Sequence, residues 1–225
     1  MTTFPVSSGN DPLVARVAAN LAVIKERVAS ASSDPSRVRV VAVTKGFDVA
    51  YVEAAASLGL DTVGENYVEE LCAKREQSRS VLRWHFLGAL QTNKIARALR
   101  CADVLCGVSR DKEIRKIAQI QAGASIYVQV DFTGVAERNG APPSYVAALV
   151  GLARGEGLDV RGLMTVAPPE PEGARRAFRA TVDLADELSL RERSMGMSDD
   201  FEMACHAGST EIRLGRALFG PRVSP

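Results

Sequence analysis

The sequence predicts an α/β fold: a single (β/α)8 barrel of the TIM type, preceded by an extra N-terminal helix. Short apolar runs alternate with helical patterns along most of the chain. Strict alternation of this kind means parallel strands joined by crossover helices. Eight such units fit into roughly 190 residues, somewhat below the usual length of such a barrel. No composition break or repeat divides the 225 residues. A doubly wound open sheet uses the same alternation with fewer strands, so the count of eight favours the barrel.

The opening residues 1–10 read as a flexible N-terminus, and 11–225 as one barrel domain. Asp11 with Pro12 makes a helix start. Leu13, Val14, Val17, Leu21, Ile24 and Val28 recur at helical spacing up to Ala31. Ser32-Ser-Asp-Pro-Ser36 breaks that helix. Strands are then expected near Arg39–Thr44, Asp61–Gly64, Trp84–Leu87, Val104–Val108, Ser125–Asp131, Val160–Ala167, Ser194–Met197 and Glu211–Leu214. Helical patterns lie between them at Val49–Leu58, Tyr67–Gln77, Asn93–Leu99, Lys112–Gln121, Ser144–Arg154, Gly173–Leu190 and Phe201–Ala207. Arg216–Phe219 supplies a short final turn.

Hydrophobic residues make up 46% of the chain, enough for an ordinary core. The net charge of +1, from 28 basic and 27 acidic side chains, argues against a nucleic-acid or anionic-membrane surface as the main business. No run reaches the length of a membrane span, and Met1–Asn10 lacks the basic start and apolar stretch of a secretory signal. A cytoplasmic protein is expected. Cys72, Cys101, Cys106 and Cys205 form no C-x-x-C pair and read as free thiols. With His85 and His206 the only histidines, a His-rich metal site is not expected.

In such barrels the chemistry gathers at the C-terminal ends of the strands. Those ends carry Lys45, then Glu65 and Asn66, His85 and Gly88, Ser109, Asp131, Met164 and Thr165, Ser198, and finally Arg213 and Gly215. Each has an ordinary reading alone: Asn66 as a helix cap, His85 as a satisfied histidine in a partly apolar strand, Ser198-Asp199 as a cap for the next helix. Together they ring one lysine. Lys45 ends the apolar run Arg39-Val-Val-Ala-Val-Thr44, and Gly46 follows at once. Most lysines just past a strand are solvated. At a cavity mouth, burial lowers the pKa, and the amine becomes a nucleophile toward carbonyls. Ser198 and the amides after it open a helix, where unpaired N–H groups favour a phosphate. Gly215, in Arg213-Leu-Gly-Arg216, allows close backbone approach to an anion. A generic phosphate-binding barrel would use the same spacing.

Several segments share a further likeness: Val41-Ala-Val-Thr-Lys45, Gly64-Glu-Asn66, Trp84-His-Phe-Leu-Gly88 with Gln91-Thr-Asn-Lys94, Arg161-Gly-Leu-Met164, Ser194-Met-Gly-Met-Ser-Asp199, Gly208-Ser-Thr210, Ile212-Arg-Leu-Gly215 and Phe219-Gly220. In these the chain resembles the pyridoxal-phosphate (PLP) homeostasis proteins, single-domain relatives of the alanine racemase N-terminal barrel. The resemblance implies that Lys45 holds pyridoxal 5'-phosphate as a Schiff base. It implies that Ser198, Gly215 and Arg216 cradle the phosphate and that Arg213 faces the pyridine nitrogen. Asn66, His85 and Met164 would line the pocket. Gly208-Ser-Thr210 precedes the last strand, away from the mouth. Gly46-Phe47, Leu87 and Thr165-Val-Ala-Pro-Pro169 depart from the family pattern and remove no group needed to hold PLP.

The resemblance points to a PLP carrier serving intracellular homeostasis, with amino acids and PLP-dependent apoenzymes as transient partners and no catalytic residue of its own. A monomer is expected, because one barrel completes the site. The rival is a weak racemase-like enzyme. That reaction needs an acid–base group on each face of the substrate carbon, and only His85 and Tyr67 suggest themselves for the second face. A third reading is a barrel in which Lys45 meets a sugar-phosphate carbonyl.

Overall fold

The apolar runs become strands because β-branched and aromatic residues suit a pleated surface buried on both faces. In the computed structural model, which describes residues 11–135 and 138–222, eight such strands close into a barrel. They are β1 (Arg39–Val43), β2 (Thr62–Glu65), β3 (Arg83–Phe86), β4 (Val104–Val108), β5 (Ser125–Val130), β6 (Asp159–Thr165), β7 (Glu192–Ser194) and β8 (Glu211–Leu214). All neighbours are parallel, in the order β1 to β8, and β8 returns to pair with β1. The expected (β/α)8 barrel is the observed fold. The expectation of a flexible 1–10 lies outside the described residues.

Helices α1 (Pro12–Ala31), α2 (Val49–Ser57), α3 (Val68–Gln77), α4 (Ile95–Cys101), α5 (Asp111–Ile120), α6 (Pro143–Gly155), α7 (Pro171–Glu187), α8 (Phe201–Ala207) and α9 (Arg216–Phe219) surround the sheet. Helix α1 starts as expected: the Asp11 carboxylate accepts from the Leu13 N–H at 2.8 Å, with Pro12 in the first turn. Its buried stripe, Val17, Leu21, Ile24 and Val28, lies on a helix that packs against α2, α8 and α9. No helix among the described residues is long and apolar enough to cross a membrane.

Strand β7 is the largest departure from expectation. It runs over Glu192–Ser194, not Ser194–Met197. The extended run stops at Gly196, whose φ of +98° lies in the left-handed region. The charged pair Glu192-Arg193 hid the strand from an apolar count. A second glycine sets the β6–β7 spacing: a Cβ on Gly162 would sit 1.9 Å from the Glu192 carbonyl oxygen.

Glu192 belongs to a polar network toward the N-terminal ends of the strands. Its carboxylate accepts from the Tyr127 hydroxyl and from Arg161. Arg39 reaches Glu192 at 3.4 Å and Glu211 at 3.1 Å. His85 Nδ1 lies 3.6 Å from Glu211 Oε1. Burial opposes the charge on Glu211, but the His85 ring, the nearby Ser194 hydroxyl and Arg39 outweigh it and hold that carboxyl at about 2. Burial and the neighbouring carboxylates push the Tyr127 phenol well above its ordinary range.

The expectation of four free thiols is corrected. Cys72 of α3 and Cys101 of α4 form a disulfide, while Cys106 and Cys205 are free and buried. Their separation of 29 residues gives no sequence signal. The packing of α3 on α4 brings their Cα atoms to 5.1 Å, within bridging range.

Two outcomes test this fold. Gly162→Ala should lower the denaturant midpoint, costing about 1–3 kcal/mol, because the clash is with backbone and no side chain can yield. A midpoint equal to that of the unaltered chain would refute the β6–β7 packing. Glu211→Gln should be less stable at neutral pH. A depressed carboxyl contributes stability above its ordinary 4.5 and loses it as pH falls toward about 2. The stability gap between the two proteins should therefore narrow across that acid window in urea titrations.

Candidate functional site

Parallel strands point all their C-terminal ends one way, and the loops there enclose an open cavity of about 870 Å³. Its wall includes Lys45 after β1, Asn66 after β2, Leu87 after β3, Met164 and Val166 at β6, Met197–Asp199 after β7, and Arg213, Gly215 and Arg216 at β8. Arg222 and Gly220 close the rim. The structure thus gathers seven of the eight expected site residues: Lys45, Asn66, Met164, Ser198, Arg213, Gly215 and Arg216.

Lys45 is half-buried and has no ion-pair partner among the described residues. Burial, then the positive charge of Arg222, lower its pKa; Glu65 pulls the other way, and Arg213 adds a smaller push downward. The residues on either side of Lys45 are held firmly. Thr44 Oγ1 donates to Glu65 Oε1 at 2.6 Å. Lys74 of α3 donates to the Thr44 carbonyl at 2.7 Å, to Glu65 Oε1 at 2.6 Å and to Glu70 Oε2 at 3.0 Å. The Gly46 N–H donates to the same Glu70 oxygen at 3.0 Å.

Arg213 enters from β8. Its Nη1 donates to the Ser194 carbonyl at 2.6 Å and to Ser194 Oγ at 2.9 Å, and its Nη2 to the Thr165 carbonyl at 2.7 Å. These bonds tie β8 to β6 and β7 and fix the guanidinium. Across the cavity, Ser198 Oγ accepts from the Ala217 N–H at 3.0 Å, and Arg216 pairs with Asp199. The loop after β7 is thereby drawn against the start of α9, where Gly215 is the cap. An amine, three guanidinium groups and a helix start face one space, a donor set suited to a carbonyl compound bearing an anion.

His85 is the exception. It is fully buried, pairs in register with Gly64 and Val104, and faces Glu211 and Tyr127 below the cavity. It lies in the polar network and not in the cavity wall. Tyr67, its companion candidate, is exposed just beyond β2 and does not line the cavity either. Ser109 is buried against Asn139 and Glu113, and Asp131 caps its own turn. Ser209 and Thr210 bond to backbone of β7 and to the start of β8, at the end remote from the cavity. Among the described residues no group of His, Cys, Asp and Glu is placed to hold a metal ion.

Three contributors escaped the sequence reading: Arg222, Lys74 and Glu70. Arg222 follows the last helix, where no strand-end rule applies. Lys74 and Glu70 sit four apart on α3, a spacing that reads as an ordinary surface pair. The burial of Lys74 is visible only in three dimensions.

The profile of the alanine racemase N-terminal domain matches residues 14–223 of this chain. A pyridoxal phosphate homeostasis protein of Pseudomonas aeruginosa is 35% identical over 221 residues, covering 93% of this chain and 94% of the relative. The chain belongs to the pyridoxal phosphate homeostasis protein family. A second member, from Deinococcus radiodurans, is 36% identical over 208 residues, covering 90% of this chain and 99% of its own. Among solved structures, PipY of Synechococcus elongatus with PLP bound superposes with a TM-score of 0.80 at 30% identity. That match covers 91% of this chain and all of PipY. Against that family, the lysine, the arginine of β8 and the loop after β7 occupy one cavity here.

Arg222 gives the site a direct test. Arg222→Gln removes a positive charge that helps to lower the Lys45 pKa, so the pH at which Lys45 loses its proton should rise. Amine-directed labelling at a series of pH values, read at the Lys45 peptide, would measure it. A midpoint that stays put would remove Arg222 from the electrostatics of the site.

Proposed function

We propose that this chain binds pyridoxal 5'-phosphate as a Schiff base on Lys45, and that it serves intracellular PLP homeostasis by holding the cofactor and passing it to apoenzymes. The observation that carries the reading is a half-buried lysine, with no ion-pair partner among the described residues and a lowered pKa, at the mouth of a cavity lined by arginines. When bound, PLP supplies an aldehyde that condenses reversibly with amines.

The residues of this chain divide that work. Lys45 offers an amine whose lowered pKa leaves more of it unprotonated near neutral pH. Ser198, Gly215 and Arg216, drawn together by the Ser198–Ala217 contact, supply the backbone N–H groups and the charge that suit a phosphate. Arg213, fixed at both terminal nitrogens, would present a permanent positive charge to a bound cofactor. An arginine does not give up its proton, so opposite a ring nitrogen it discourages protonation there and weakens the ring as an electron sink. Asn66, Met164, Leu87 and Val166 give the cavity its shape.

Holding fits this wall better than turnover. Apart from the permanently charged arginines, its ionisable side chains among the described residues are Lys45 and Asp199, and Asp199 is exposed and paired with Arg216. A missing acid–base group costs roughly 10²–10⁴ in rate. The open mouth suits exchange with an incoming amine.

Borohydride reduction of the PLP-loaded protein should fix the pyridoxyl group on Lys45, and Lys45→Ala should lose that adduct. Its recovery on another lysine would defeat the reading. Incubation with alanine or serine in deuterated water should put no deuterium at the α-carbon at enzymatic rates, while an apoenzyme mixed with the loaded protein should gain activity. Fast exchange dependent on Lys45 would favour a racemase-like enzyme instead.

A further inference from the structure

We propose that the buried Glu65–Lys74 pair, completed by Glu70, is a positioning device for Lys45: it fixes the backbone on both sides of that residue and so aims the amine into the cavity. The proposal rests on the reading of Lys45 as the carbonyl-binding group, and it adds residues of α3 that do not line the cavity.

The geometry is specific. Glu65 is fully buried at the end of β2, and the Lys74 side chain is only 8% exposed. A buried ion pair is a costly way to hold a helix on a sheet, since apolar residues of similar volume do as well or better. Here all three bonds of the Lys74 ammonium are directed at one short segment and its supports: the Thr44 carbonyl, Glu65 and Glu70. Glu65 also takes the Thr44 hydroxyl, and Glu70 takes the Gly46 N–H. Residues 44 and 46 are thus both clamped, and the unclamped residue between them is Lys45. Gly46 has a φ of +70°, so the chain turns sharply there, and the Gly46–Glu70 bond holds that turn.

The charges around Lys45 are those of Glu65 on β2, Lys74 and Glu70 on α3, Arg213 on β8, Arg222 beyond α9, and the Arg216–Asp199 pair across the cavity. A device that aims the amine changes how fast it reacts once deprotonated. A change of charge alone moves only the pH at which it deprotonates. The two effects separate in a pH profile.

The test uses the full chain, freed of bound carbonyl compounds with hydroxylamine, and pyridine-4-carbaldehyde as the probe. Condensation at Lys45 is trapped with borohydride and read by peptide mapping across pH. In Lys74→Met the rate on the high-pH plateau should fall by about tenfold or more, as expected for loss of orientation. Lys74→Arg, which keeps charge and donors, should recover most of it. Should Lys74→Met fail to fold, the double variant Glu65→Gln/Lys74→Met removes both charges together. It should show the same plateau loss. Plateau rates equal to that of the unaltered chain would overturn the proposal, with or without a shift in midpoint. The PLP reading fails separately. If borohydride places PLP on another lysine while the probe still reports plateau loss at Lys45, the clamp stands and the cofactor assignment falls.

Discussion

Closure of β8 onto β1 is the contact on which the site depends. Residues 45 and 213–216 are far apart in sequence, and only this pairing makes them neighbours. Its register sets Val41 beside Arg213 and Ala42 beside Leu214, and Gly215 lies against Val43, two residues before Lys45. The long-range pairing carries a loop-closure cost that local contacts do not. Side chains reinforce it at the foot of the barrel, where Arg39 of β1 spans Glu211 of β8 and Glu192 of β7. At the top, Arg213 binds carbonyls of β6 and β7. The same strand that closes the barrel therefore delivers the arginine of the cavity.

Buried charge is concentrated in two places with different consequences. At the foot, Glu211, His85, Tyr127, Arg39 and Glu192 form a network in which Glu211 Oε1 and both ring nitrogens of His85 lack a hydrogen-bond partner among the described residues. Such a network resists rearrangement and ties strands together, but nothing in it faces the cavity. Near the mouth, Glu65 and Lys74 form a compact pair whose bonds converge on the segment carrying Lys45. Exposed pairs such as Arg27–Glu202 contribute little by comparison, since solvent screens them and holding two long side chains costs entropy.

Much of this was legible in the sequence, for a physical reason. Parallel strands buried on both faces must be apolar throughout, so a lysine or arginine at the end of such a run stands out, as Lys45 and Arg213 do. The segments after β7 and β8 that line the cavity were legible through glycine and serine next to helix starts. Legibility failed where burial does not follow polarity. Strand β7 begins with Glu192 and Arg193, charges neutralised by partners from β1, β6 and α7, and an apolar count passes over them. His85 lies one level below the cavity wall: polarity alone does not say how far along a four-residue strand a side chain enters the lumen. The Cys72–Cys101 bridge and Lys74 depend on which helices pack together, information that resides in the closed barrel and not in any local window.

The positive charge at the mouth serves two ends that pull against each other. Arg213, Arg216 and Arg222 face the cavity beside a lysine, an arrangement that favours an anionic ligand. Two of those arginines also push the Lys45 pKa down and so expose its nucleophile. A phosphate arriving at the rim would offset part of that push. On the proposed Schiff-base reading, the amine would gain most from the arginines before the anion is seated, when it would attack a carbonyl. Glu65, behind the lysine, limits the effect by pulling the other way. On that reading, one group of charges would set both reactivity toward an incoming aldehyde and retention of a bound anion, while the α3 bonds hold the backbone on either side of the amine.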